Sequence, residues 1–520
     1  MTEKEPMDKK TKIWVGIIIL VALLISFYPA IRFDRPVVQT DGASQYIYSK
    51  TLAETGNFNA DNPPYNQYSS VEKKIGEYPP LLIWTLGGTI WLLGKIGINA
   101  DIMLINGVFL GIFFVIALWY FYLLAFELSG KRTAALISLI LAALSVRAYY
   151  TMFVGHLSPM LGFCVSIPAL YYCIIYARKK GMKNLSLCLL FNTLTLLAYP
   201  IQALFILLLE LAVWIGIKMQ RAEIKVQLKG IENKKLELEG KSKELTSKNN
   251  IKEFLQLFIP LVAIIWIGLM ITALSSSART SWIKDWISGL LSSGYGYPNV
   301  WNYFVITDGP IFVLLAIAGG AYVLYKQDWP AILLGTAGIL IVTSKYFLIK
   351  SPAIILIYVN RFLVTYQLIL AILIGIVVCG AIELGKTKNE ILLGKTVKTL
   401  LIITIIIQLI TVATFLTIVK PAISADERDA AKFLKGYGEE FNILYVDNVA
   451  ETTSFRAFKW VIVNAKSTRF DVVHELSGAE IADGQYDIIY ISDYKKISDK
   501  TKIHGKEIFS KGTIRIFESR

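Results

Sequence analysis

Six acids (Asp34, Asp41, Glu54, Asp61, Glu72, Glu77) lie between Asp34 and Pro80, after one apolar stretch and before a long series of others. Asp41 falls a few residues past the first stretch, so its carboxylate would sit close to a bilayer surface, within reach of a substrate whose tail stays in lipid. A carboxylate within hydrogen-bond distance of an acceptor hydroxyl can take its proton as a new bond forms. The plain alternative makes Asp41 the N-cap of a helix that starts at Gly42 or Ala43 and ends at Gly56, and the two roles are compatible. Glu77, just before Tyr78-Pro79-Pro80, is a second acid at that level. It would orient an acceptor or hold a metal with Asp41, or else be a solvated loop acid.

Cations that would meet an anionic substrate lie far along the chain. Arg361 stands several residues inside an apolar stretch that begins near Ala353. A charge at that depth is costly and usually faces a cavity or the bundle interior. A guanidinium matches phosphate oxygens as a bidentate fork, whereas snorkelling to the interface is the bland reading. Arg147 and Lys345 are expected at the same face and would add positive potential. His156, in VGHLSP, would bind a phosphate or a divalent ion, or serve as a hydrogen-bonded structural residue.

These residues need a scaffold, and composition defines it. Of 520 residues 55% are hydrophobic and 18% charged, with mean hydropathy +0.53, too little polar surface for a soluble protein of this size. Repeated apolar runs of about 20 residues indicate a polytopic α-helical membrane protein. Residues 13–31 read as an uncleaved signal anchor. Further spans are expected at 101–127, 133–149, 158–177, 185–200, 201–217, 254–275, 310–325, 330–345, 353–383 and 399–419. Residues 80–97 are ambiguous. Placing them at the outer interface puts the basic loops 130–132, 178–184, 218–252 and 386–398 on the cytoplasmic side, as the charge rule requires.

The expected layout is therefore a cytoplasmic N-terminus (1–12), a transmembrane domain of eleven spans (13–420) and an extracytoplasmic C-terminal domain (421–520), in the plasma membrane. The net charge of +14 is a topology signal and not a nucleic-acid one. Segment 218–252, with ten Lys/Arg among five Glu, reads as a solvated cytoplasmic hairpin. The four cysteines (Cys164, Cys173, Cys188, Cys379) lack metal-ligand spacing and read as small core residues. After Pro421 a small α/β domain is expected. A capping box at 424–427 opens its helix, and strands are expected at 441–447, 459–465, 486–492 and 513–519, serving stability and acceptor access.

No dinucleotide fingerprint, phosphate-binding loop, zinc spacing or Ser-His-Asp order occurs in usable context. TDGASQYIYSKTLAETG (40–56) followed by EYPPLLIW (77–84) does resemble the first external loop of GT-C membrane glycosyltransferases. The branch it is most similar to is that of the protein mannosyltransferases and aminoarabinose transferases. The plan of about eleven spans and a C-terminal external domain is similar too. Gly42 departs from the mannosyltransferase pattern, which has a second acid there.

The resemblance implies an inverting transfer of a sugar from a polyprenyl-phosphate donor to a protein, lipid or glycan acceptor at the outer face. Asp41 would then be the general base. Glu77, Tyr78, His156, Arg361, Arg147 and Lys345 would bind the substrates. No Asp-x-Asp pair stands in the second external loop, so a metal-independent mechanism is expected, with a divalent ion as the alternative. The rival classes are a lipid-linked sugar transporter or flippase, for which no inverted repeat is visible, and a non-catalytic membrane receptor or scaffold.

Overall fold

The computed structural model describes residues 7–37, 40–61, 75, 80–228, 248–274, 307–347, 359–385, 391–437, 442–446, 460, 469–473, 486–492 and 505–518. Glu77 and Tyr78 lie outside the described residues, as does most of 229–252. The chain divides into two compact units, one formed by residues 1–26, 110–151 and 158–418, the other by 27–109, 152–157 and 419–520.

Helices dominate. In order they are α1 (Lys9–Arg32), α2 (Thr40–Thr55), α3 (Pro80–Lys95), α4 (Asp101–Ser129), α5 (Arg132–Ala143), α6 (Val146–Phe153), α7 (Leu157–Lys179) and α8 (Met182–Ala198). There follow α9 (Pro200–Leu228), α10 (Lys248–Leu274), α11 (Pro310–Lys326), α12 (Trp329–Phe347), α13 (Val359–Leu384), α14 (Ile391–Ile418) and α15 (Ala425–Tyr437). Among the described residues seven helical stretches, one of them α5 and α6 taken together, are long and apolar enough to cross a membrane, so the chain is a multi-pass membrane protein. The expected eleven is not reached by that measure: α8 and α11 have 17 residues each, a rise of about 25 Å against roughly 30 Å of hydrocarbon, and α10 and α12 are each described only in part. Apolar side chains such as Ile13, Trp14, Ile17 and Leu24 stay exposed on α1, as lipid-facing residues must.

In the first unit, charged pairs gather where helix ends meet. Arg132 pairs with Asp8 at 2.7 Å, Arg178 with Glu127 at 3.2 Å, Lys131 with Glu383, and both Lys180 and Lys218 with Glu253. The indole of Trp329 donates to Glu223 at 2.9 Å. The charged residues 218–228 continue α9, and the turn of the expected hairpin lies outside the described residues.

The second unit joins the first loop to the C-terminal domain. α3 buries Leu81, Leu82, Ile83, Leu86, Gly87 and Ile90, packs against α2, and leaves Trp84, Trp91 and Leu92 exposed. The sheet has order β2-β1-β3-β5-β4, from β1 (Asn442–Val446), β2 (Arg469–Val473), β3 (Ile488–Ile491), β4 (Lys506–Lys511) and β5 (Ile514–Glu518). β1 runs parallel to β2 and β3, while β5 is antiparallel to β3 and β4. Three of the four expected strands are present. In the fourth, 459–465, the one described residue, Trp460, is helical, and β2 and β4 take the remaining places. Their runs, RFDVV and KEIFSK, carry charges in or beside a short apolar core, which weakens the alternation signal.

Candidate functional site

In the second unit the site is built around the entrance to α2. The helix begins at Thr40 and ends at Thr55, with Gly56 at φ +66, so Asp41 lies within its first turn and does not precede it. The Asp41 side chain is outside the description, but Arg35 and Val37, a few residues before it, are held from α4. In α4 the run Leu104–Val108 forms a π-turn, with Asn106 at φ −77, ψ 21 and Gly107 at φ 113. Such turns recur at functional sites because they redirect one side chain out of helical register. Here the buried Asn106 donates Nδ2 to Arg35 O at 2.8 Å and accepts Val37 N–H on Oδ1 at 2.8 Å. One amide thus satisfies a backbone donor and a backbone acceptor in the stretch between α1 and α2.

Further contacts line this helix. Tyr46 donates its hydroxyl to Asp101 Oδ2 at 2.7 Å, and Lys50 approaches the same carboxylate at 3.7 Å. Trp460 of the C-terminal domain, 1% exposed, packs its ring 5.6 Å from that of Tyr46. Ala422 N–H donates to Pro36 O at 2.7 Å, and Arg35 donates to Ile423 O at 3.2 Å. Arg428 pairs with Asp34; burial alone would raise this carboxyl, but the guanidiniums of Arg428 and Arg35 hold it below its ordinary value. The C-terminal domain therefore touches the acid-bearing loop directly. His156 is half-buried between Gly155, at φ +93, and the start of α7, also within this unit.

The first unit holds a second polar centre that sequence reading did not single out. Asp308, 1% exposed and just ahead of α11, accepts on Oδ1 from Gln408 Nε2 at 2.8 Å and from Gln367 Nε2, and on Oδ2 from Thr307 Oγ1 at 2.8 Å. Burial pushes its carboxyl up to about 6, against the lowering influence of Thr307, Gln408, Arg147 and Gln367.

The break between α5 and α6 serves this centre. Ser145 Oγ accepts Ala148 N–H at 3.2 Å as an N-cap and donates to Gln367 Oε1, while Tyr149 Oη donates to the Ala143 carbonyl at 2.6 Å. Arg147, 7% exposed, sits in the first turn so capped. The expected continuous span 133–149 is interrupted here because the chain turns to present Ser145 and Arg147. Arg361 lies in the first turn of α13, six residues before Gln367, and Lys345 near the end of α12; their side chains are outside the description. Asn106, Gln367 and Gln408 were signalled only as lone amides within apolar runs, and Asp308 only as an acid at a span's edge.

No family model matches the chain, and no curated protein matches it by sequence. Solved structures do match its fold. The oligosaccharyltransferase AglB of Archaeoglobus fulgidus, solved with an inhibitory peptide and a dolichol-phosphate, aligns with TM-score 0.56 and 13% identity over 89% of this chain. This chain spans 65% of that protein's length. ArnT from Cupriavidus metallidurans, solved bound to undecaprenyl phosphate, aligns with TM-score 0.52 and 12% identity over 98% of both chains. The mycobacterial arabinofuranosyltransferase AftD aligns with TM-score 0.54 and 13% identity over 99% of this chain and 42% of its own. All three are GT-C glycosyltransferases. The chain has the GT-C fold, a polytopic helical bundle with a small C-terminal sheet, as its first loop implied.

Proposed function

We propose that this protein is an inverting glycosyltransferase that moves a sugar from a polyprenyl-phosphate donor to a protein, lipid or glycan acceptor at the outer face of the plasma membrane. The observation that carries the reading is the acid-bearing helix α2, opening directly after the first span in a fold shared with ArnT and AglB, whose structures hold polyprenyl phosphates. Asp41 takes the proton of the acceptor hydroxyl as that oxygen attacks the anomeric carbon. The bond from that carbon to the donor phosphate breaks, and free polyprenyl phosphate leaves. Arg361, Arg147 and Lys345 receive the phosphate, with His156, Glu77 and Tyr78 completing the substrate contacts. Buried Arg147 suits that role, since it stands on a capped helix start and is withdrawn from solvent, where a charge attracts an anion most strongly.

The chemistry in this reading needs no metal. Transfer that depends on Mg2+ or Mn2+ added back after dialysis against a chelator would instead favour a divalent ion beside Asp41. The N-terminus is cytoplasmic and the C-terminal domain extracytoplasmic. Cysteines placed by Trp91→Cys and Lys180→Cys test this, since outside labelling at position 180 contradicts it. The decisive experiment incubates purified protein with a labelled polyprenyl-phosphate sugar. Release of free polyprenyl phosphate, abolished by Asp41→Asn with folding intact, is expected. An active Asn variant ends the assignment of Asp41, and movement of intact donor across the bilayer without cleavage favours the transporter class.

A further inference from the structure

Three consecutive helices of the bundle bring together donor atoms that the mechanism above does not use. Cys173 of α7, Cys188 of α8 and Glu210 of α9 are each fully buried, and their two sulfurs and a carboxylate oxygen all lie within 4.8 Å of one another. Cys188 Sγ stands 3.8 Å from Glu210 Oε1, and Cys173 Sγ 3.9 Å from the Glu210 carbonyl oxygen. Asn192, one turn beyond Cys188 on the same helix face, donates Nδ2 to Glu210 Oε1 at 2.9 Å. Two oxygens in this cluster, Glu210 Oε2 and Asn192 Oδ1, are buried with no hydrogen-bond partner.

We propose that Cys173, Cys188 and Glu210 form a site for a zinc-like divalent cation that ties α7, α8 and α9 together. A carboxyl inside a membrane bundle stays ionised only beside a counter-charge, because hydrocarbon supplies no solvation. Among the described residues no basic side chain pairs with Glu210, whereas a divalent cation offsets most of the negative charge of two thiolates and one carboxylate, which must all be deprotonated to bind it. Two sulfur donors disfavour Mg2+ and Ca2+, which take oxygen, and one carboxylate beside them suits zinc. Zinc–sulfur bonds of about 2.3 Å and zinc–oxygen bonds of about 2.0 Å require the donors to close in by about 1 Å or less, within the reach of side-chain rotation. Chain spacing hides such a site because each ligand comes from a different helix, so no local Cys-x-x-Cys pattern arises.

The test uses the full-length protein purified in detergent without chelator, and it reads metal, not transfer, so its outcome is independent of the proposed function. Elemental analysis is expected to find about one zinc per chain. Exchange for Co2+ should give thiolate-to-cobalt charge-transfer absorption. Cys188→Ser and Glu210→Gln should lose metal and absorption together, while Cys379→Ser, a buried cysteine on α13, keeps both. The wild-type protein decides the matter even if a variant fails to fold. Absence of zinc together with no thiolate–cobalt absorption overturns the proposal, and so does a Cys173–Cys188 disulfide found by mass spectrometry. Zinc retained in both variants overturns it as well.

Discussion

Gln408 donates its side-chain amide to Asp308 across 2.8 Å, joining α14 to the start of α11 although 100 residues separate the two in sequence. Gln367 of α13 donates to the same carboxylate oxygen, so one acid gathers three helices. Asp308 is nearly fully buried, and removing it leaves two amides without an acceptor. Asp308→Ala should therefore cost about 1–3 kcal/mol of stability, whereas Asp308→Asn, which keeps an acceptor, should cost less. Thermal unfolding in detergent at pH 7 compares the two. Equal losses would mean that the hydrogen bonds are not what Asp308 contributes.

The same carboxyl makes stability depend on pH. Its value in the folded protein, about 6, lies above the ordinary 3.8, so the folded state binds more protons than the unfolded one between pH 4 and 6. Stability from this group is full below about pH 4 and falls as pH rises through 6, by on the order of 3 kcal/mol. Asp308→Asn should flatten that decline. An unchanged slope in denaturation series from pH 4 to 7 would contradict it.

Asn106 holds the approach to α2 with one donor and one acceptor. Asn106→Ala strands the Val37 N–H and the Arg35 carbonyl, with an expected loss of about 1–3 kcal/mol. Because it loosens the segment that positions Asp41, donor turnover should fall by more than an order of magnitude in protein that remains folded. Asn106→Asp keeps the acceptor and should be intermediate. Folded Asn106→Ala protein with full turnover would show that the entry geometry is not needed.

α2 and α3 touch at Gly87, where an added Cβ would stand 2.7 Å from the Ser49 carbonyl oxygen, a backbone atom that cannot rotate away. Gly87→Ala should cost about 1–3 kcal/mol through overpacking. Its neighbour Gly88 has open space at that position, so Gly88→Ala should be neutral or stabilising by up to about 1 kcal/mol from helix propensity. Melting temperatures of the pair check the contrast, and a reversed order would place the helix contact elsewhere.

At the start of α15, Ser424 N–H donates to Glu427 Oε2 at 2.6 Å and Glu427 N–H to Ser424 Oγ at 3.0 Å. Ser424→Ala should destabilise the C-terminal domain by about 1 kcal/mol, with little change in donor release. Hydrogen exchange across 425–437 reports it. Unaltered protection there would mean that the cap contributes nothing.

The features legible in the sequence were those written in contiguous residues. Apolar runs gave the helices their places, the capping box opened α15 at Ser424, and Gly56 ended α2, because hydrophobic periodicity and capping act within a few residues. The TDGASQY and EYPP segments, side by side in the chain, were enough to point to the GT-C fold. Tertiary structure decided what depends on contacts between distant residues. Asp308 met Gln367 and Gln408, Trp460 met Tyr46, Asn106 closed on Arg35 and Val37, and Cys173 and Cys188 met Glu210. A lone polar side chain in an apolar run signals that burial must be compensated. Its partner is fixed only when helices pack, because either face of a helix leaves the same local pattern until a neighbour covers it.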